Sequence, residues 1–306
     1  VFSLPKTVLL SLLGFAIVAG LGACGNQVPN DNELPFGGGA TPTATSSSNV
    51  SHSSNNNTIT YKSVEITILA VDQQTKFTDD GDSQSPYLLR ISIKENNTSE
   101  TDVNIYYNDS SRLVEADGTQ IAPEKAQDST LISQGVVRNN WIDFAVPSKL
   151  DVNTLTLRIG TNTEHQINVP LKSNRDLSQY QPITVQPNAT LKYGGLNWTV
   201  TQANAQLSAY GTQATAGYRY IILTLKADNS TDADFVVRPD DYFRLQAPDV
   251  TTAPTHSTLP SLIAPGSSGT TGAITFLMPQ NDQKFTLKFL ARPSENIAEA
   301  TADIHF

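Results

Sequence analysis

"LLRISIKENNTSETDVNIYYNDSSRLVEADGT", residues 88–119, returns as "YIILTLKADNSTDADFVVRPDDYFRLQAPDVT", residues 220–251, at a shift of 132 positions. Without a gap the two stretches share Lys94/Lys226, Asn97/Asn229, Asp102/Asp234, Asp109/Asp241, Arg112/Arg244, Leu113/Leu245, Asp117/Asp249 and Thr119/Thr251. The same shift sets Tyr61 on Tyr193, Phe144 on Phe276, Pro147 on Pro279 and Leu155 on Leu287. One register held over so long a span is the mark of a duplicated unit. The copies are expected at 58–171 and 189–306, joined by a linker at 172–188.

Each copy reads as β. "LLRISIK" alternates Leu89, Ile91 and Ile93 with Arg90, Ser92 and Lys94, and the second copy repeats this with Ile221, Leu223 and Leu225. "VEITILAV" sets Val64, Ile66, Ile68 and Ala70 on one face. Ile142, Phe144 and Val146, their counterparts Ile274, Phe276 and Met278, and the run Leu155, Leu157 and Ile159 behave alike. A period of two over five to eight residues means half-buried strands. "ENNTSE" and "ADNSTD" supply turn chemistry between them. No segment holds a helical period. The expected fold is all-β: two tandem immunoglobulin-like antiparallel β-sandwiches, with a closed barrel as the alternative. The cysteine pair and core tryptophan of antibody domains are absent as a set.

"YLLRISIKENNTS", "RLVEADGT" and "LIAPGSSGTTGAITFLMP" together resemble an uncharacterised bacterial lipoprotein family with telokin-like, immunoglobulin-like domains (domain of unknown function 4352-like). Its sandwich is related in fold to a mycobacterial immunoprotective secreted antigen. Both copies carry the pattern, although "LISQGVV" replaces the "APG" element in the first. The resemblance implies the fold and brings no activity or catalytic residue with it.

Residues 1–23 read as an export leader. Lys6 precedes the uncharged run "TVLLSLLGFAIVAGLGA", residues 7–23. Leu21, Gly22 and Ala23 before Cys24 resemble the lipobox of bacterial lipoproteins, in which the thiol takes a diacylglyceryl group and cleavage leaves it as the new N-terminus. An uncleaved helix or a shed soluble form are the alternatives. Residues 24–57, rich in Gly, Ser, Thr and Asn, read as a flexible, disordered tether. The expected location is extracytoplasmic, at the cell membrane, with the lipid as the membrane contact. Cys24 is the single cysteine, so no intrachain disulfide can brace the sandwiches.

The chain has 20 Lys and Arg against 29 Asp and Glu, a net charge of −9, with no basic run. Nucleic acid is excluded as a partner, because phosphate neutralisation needs clustered cations; an envelope protein or glycan is the expected class. The four histidines, His52, His165, His256 and His305, have no metal-ligand spacing. Neither a nucleophile elbow nor a phosphate loop occurs. The expectation is therefore a non-enzymatic binding, scaffold or adhesion module without a cofactor. A solute- or cation-binding receptor is the second reading and an envelope-polymer hydrolase the third.

Three features could bind. Asp79, Asp80 and Asp82 surround Gly81 in "TDDGDSQS", a weak calcium candidate weighed against a solvated turn. Tyr106, Tyr107, Tyr242 and Phe243 could form an aromatic platform, weighed against ordinary core packing. Asp109/Asp241 with Arg112/Arg244 could brace a strand corner or repeat a ligand site. The anchor is tested first: Cys24→Ala should abolish incorporation of an alkyne fatty acid during metabolic labelling. Equal labelling of wild type and variant would remove the lipobox reading.

Overall fold

The alternating runs form strands at the expected places. The computed structural model describes residues 51–79, 83–127 and 129–306, and residues 47–306 cluster as one unit. Cys24 and the cleavage-site residues Leu21, Gly22 and Ala23 lie outside the described residues, as do Asp80 and Asp82.

The first copy runs β1 (Ser51–Ser54), β2 (Thr58–Tyr61), β3 (Val64–Gln74), β4 (Tyr87–Asn97), β5 (Val103–Asn104), the one-turn helix α1 (Tyr107–Ser110), β6 (Ser111–Val114), β7 (Gln120–Ile121), β8 (Lys125–Ala126), β9 (Leu131–Ile132), β10 (Val137–Val146), β11 (Thr156–Ile159) and β12 (Ile167–Pro170). One sheet orders β1-β3-β4-β10-β8, with β2 also on β3; the facing sheet orders β12-β11-β6-β7. A small β5–β9 pair closes one end.

The second copy repeats this with β13 (Ile183–Val185), β14 (Ala189–Tyr193), β15 (Leu196–Gln206), a hairpin of β16 (Ser208–Ala209) and β17 (Thr212–Gln213), β18 (Tyr218–Asp228), β19 (Phe235–Val236), α2 (Pro239–Tyr242), β20 (Phe243–Gln246), β21 (Thr251–Thr252), β22 (His256–Ser257), β23 (Leu262–Ile263), β24 (Thr270–Pro279), β25 (Lys284–Phe289) and β26 (Ala300–His305). Its sheets order β13-β15-β18-β24-β22, with β14 on β15, and β21-β20-β25-β26. Pairing is antiparallel throughout the described strands, as expected of a sandwich.

The repeat extends to its irregularities. β3 and β15 bury the same positions, and each carries a bulge at the same point, Leu69 in one and Thr201 in the other. The bulge advances the phase of the strand by one residue. Val71, rather than the expected Ala70, therefore completes the inward face of β3. The match of Leu155 to Leu287 is also corrected. Leu157 pairs with Leu113 as Leu287 pairs with Leu245, so Leu157 is the counterpart; the connection before β11 is longer in the first copy.

Two segments depart from their expected roles. Residues 51–57 read as tether from their composition, yet β1 pairs along β3, and Asn55 and Asn57 are buried. Their side-chain amides donate to the carbonyls of Leu171 (2.7 Å) and Pro170 (2.9 Å). A polar composition does not forbid a strand held by main-chain pairing and by buried asparagine amides that find acceptors. Residues 183–185, assigned to the linker, are the counterpart of β1 and pair with β15.

Asn97 and Asn229 explain why those residues match. Both are buried, and each side chain ties the turn after its long strand to the β9 or β23 end: Asn97 donates to Thr101 and Ile132, Asn229 to Ala233 and Ile263. Two apolar cores result. Ile91, Phe144 and Leu157 centre the first; Trp198, Phe243, Phe276 and Phe289 centre the second. Leu207 crosses over and packs into the first core. Phe144→Ala and Phe276→Ala should each cost about 3–5 kcal/mol, as for other fully buried phenylalanines. Denaturation followed at Trp141 for the first copy and Trp198 for the second checks it; a loss below 1 kcal/mol would contradict the packing.

Candidate functional site

The two copies meet through one hairpin. β16 and β17 turn at Tyr210-Gly211, both in left-handed backbone (φ 50° and 74°), the geometry of a two-residue type I′ turn. The hairpin seats on another such turn, Lys62-Ser63 between β2 and β3 (φ 50° and 62°). The Lys62 N–H donates to Gln213 Oε1 (3.2 Å), and the Ser63 N–H donates to Ser208 Oγ (2.9 Å). Main-chain bonds extend the contact: His165 N–H to Ala214 O (2.7 Å) and Ala216 N–H to Thr163 O (3.0 Å).

The loop that carries Thr163 and His165 also carries Glu164. Its carboxylate accepts from the Tyr61 hydroxyl (2.8 Å) and the Thr161 N–H (2.9 Å), with Lys62 Nζ at 3.4 Å. Burial alone would raise the pKa of Glu164, but the Thr161 and Tyr61 hydrogen bonds and the Lys62 charge hold it below the ordinary value. Burial pushes the His165 imidazole down.

Beside the hairpin lies a cleft of about 360 Å³. Both copies line it, with hydroxyls from Thr60, Ser63, Thr98, Ser99 and Ser208, the rings of Tyr180 and Tyr210, and the carboxylates of Glu65 and Glu100. Hydroxyls and ring faces suit a polar, polyhydroxylated ligand.

The hairpin occupies the sequence position that "TDDGDSQS" holds in the first copy. There Arg90 decides the outcome. Its guanidinium lies between the rings of Phe77 and Trp141 (4.1 Å each), with paired bonds to Asp143 (2.7 Å) and bonds to Asp79 (2.8 and 2.9 Å). Against the rise that burial brings, Arg90 holds the Asp79 carboxyl below its ordinary value. Asp79 is thus a partner of arginine; Asp80 and Asp82 lie outside the described residues. In the second copy Ile222, Thr275 and Ala273 replace Arg90, Asp143 and Trp141, so no charged clamp forms; the loop tip meets its own sheet at Tyr210, by a hydroxyl bond with Thr275 (3.2 Å) and ring packing on His256.

The other sequence candidates do not converge. Tyr106 is exposed, while Tyr107 is buried with its hydroxyl on Glu95 (2.7 Å). Phe243 stacks on Phe289 in the core, and Tyr242 covers Arg292. Arg112 and Arg244 donate to main-chain carbonyls of Asn108 and Asp240, so each caps a helical turn in place of pairing with Asp109 or Asp241. His52 bonds Asp72 (2.7 Å), His256 packs on Tyr210, and His305 ends β26. No three His, Cys, Asp or Glu side chains group as metal ligands among the described residues. The docking hairpin itself escaped the sequence reading, although "YG" between short polar runs was its available signal.

The family model described as a domain of unknown function (DUF4352) matches residues 185–299, so the second copy is similar to that domain. No curated protein and no solved structure matches the chain.

The junction should weaken in acid. Unfolded His165 takes up a proton as pH falls below about 6.5 while the buried ring resists it. The contribution of Glu164, complete above the ordinary carboxylate value, goes as pH falls further, through its lowered pKa. Urea stability of the full chain should therefore decline from pH 7 to pH 4, and His165→Gln should flatten the upper part of that decline. An identical profile in the variant would contradict the assignment.

Proposed function

We propose that the protein is a non-enzymatic binding and scaffold module of the cell envelope, extracytoplasmic and held at the membrane by lipid on Cys24. The observation that supports it best is the junction: two sandwiches are fastened by side-chain and main-chain hydrogen bonds into one two-part body. Such a body presents surfaces at a fixed spacing, which suits a scaffold. A receptor for a hydroxylated ligand is the second reading, favoured by the hydroxyl-lined cleft.

Purified full chain should co-sediment with isolated envelope polymer and release no soluble fragments from it on prolonged incubation. Fragment release would overturn the non-enzymatic reading. Binding that soluble oligosaccharides compete away, and that Glu100→Ala with Tyr180→Ala abolishes, would move the receptor reading first. Absence of binding to polymer and to envelope proteins alike would end both.

A further inference from the structure

The seat that the first copy offers to the hairpin has a counterpart on the second. At the shift of 132, Lys62-Ser63 becomes Gly194-Gly195 and Val103 becomes Phe235; the loop after β11 becomes the loop after β25. In the first copy this face is covered. In the second it is an opening of about 500 Å³ lined by Gly194, Gly195, Phe235, Glu295 and Ile297, with Lys192, Asp234 and Glu299 also contributing.

We propose that this opening is a docking site for a β-hairpin of a partner protein that carries a lysine or arginine at its tip. The backbone argument is continuity with the junction already described. Gly194 and Gly195 have the same left-handed turn (φ 61° and 80°), and neither N–H has a hydrogen-bond partner among the described residues. Their counterparts are the two donors that hold Gln213 and Ser208.

The charge argument comes from what the second copy lacks. In the first, Lys62 pairs with Glu164. In the second, the Phe235 ring stands 2.1 Å from where a Gly194 Cβ would lie, so the position is confined to glycine and brings no cation. Glu295 already pairs with Arg292 Nη1 (3.3 Å), so the acids left exposed around the opening are Asp234 and Glu299, with Lys192 beside them. A basic side chain from the partner answers Asp234 and Glu299. Behind Tyr193 and Phe235, the buried Arg292 keeps Nη2 without an acceptor among the described residues. A second copy of this chain is the poorer occupant. Its element equivalent to the hairpin carries Asp79, Asp80 and Asp82, of the same sign as the acidic residues here.

The site is separate from the cleft, and its test does not depend on the lipid. The probe is a fluorescent, disulfide-cyclised hairpin peptide with the sequence of residues 206–216 and Lys-Gly in place of Tyr210-Gly211, titrated into the purified full chain. Saturable anisotropy is expected, with a photoreactive group on the peptide labelling residues 192–195 and 295–299. Asp234→Lys with Glu299→Lys, both exposed and checked for an unchanged melting temperature, should weaken binding by about tenfold or more. No saturable binding up to millimolar peptide, or equal binding by the double variant, would overturn the proposal. So would self-assembly of the full chain in sedimentation that the double variant dissolves, since that would assign the face to a second copy.

Discussion

Two N–H groups, those of Lys62 and Ser63, decide how the two sandwiches are joined. A type I′ turn directs such groups outward, where they need either water or a protein acceptor. The second copy provides the acceptors on a hairpin of its own, and the bonds from His165 N–H to Ala214 O and from Ala216 N–H to Thr163 O carry the contact into the main chain. The cleft follows from this seating, because Ser63, Ser208 and Tyr210 all border it. Leu207 enters the first core for the same reason: it is the residue just before the hairpin.

Duplication gave one loop two fates, and the difference lies outside the loop. In the first copy a guanidinium between two aromatic rings, bonded to Asp143, draws Asp79 down onto the sheet. In the second copy the corresponding sheet surface is Ile222, Ala273 and Thr275, which offers no charge and meets the loop tip at Tyr210, through the Thr275 hydroxyl and the His256 ring. A short hairpin with a left-handed tip then projects far enough to meet its neighbour. Stability against self-interaction and reach toward a partner are opposite uses of the same connection.

The sandwich was legible because period-two alternation and the 132-residue register report burial directly. Leu89, Ile91, Ile93, Phe144 and their counterparts are all in the cores. What alternation could not reveal was the bulge at Leu69, where one extra residue moves burial from Ala70 to Val71. Nor could composition place β1, since Ser51–Ser54 owes its order to main-chain pairing and to buried asparagine amides. Among the site candidates, Asp79 looked like a metal ligand because its partner Arg90 is eleven residues away in a different element. Asp109 and Arg112 looked like a pair because sequence spacing cannot tell a carboxylate acceptor from a main-chain carbonyl.

Leu207 has a consequence for the order in which the protein matures. A chain leaving the ribosome or a translocation channel appears N-terminus first, and its domains complete themselves in that order. Here the first sandwich receives its last parts late, because a core side chain and the cover over Val103 belong to residues that emerge after the linker. Until residue 216 has followed, the Lys62-Ser63 turn stands open to whatever hairpin is nearby. A turn near the start of the first sandwich is thus among its last parts to close, and its closure reports that the second half has arrived.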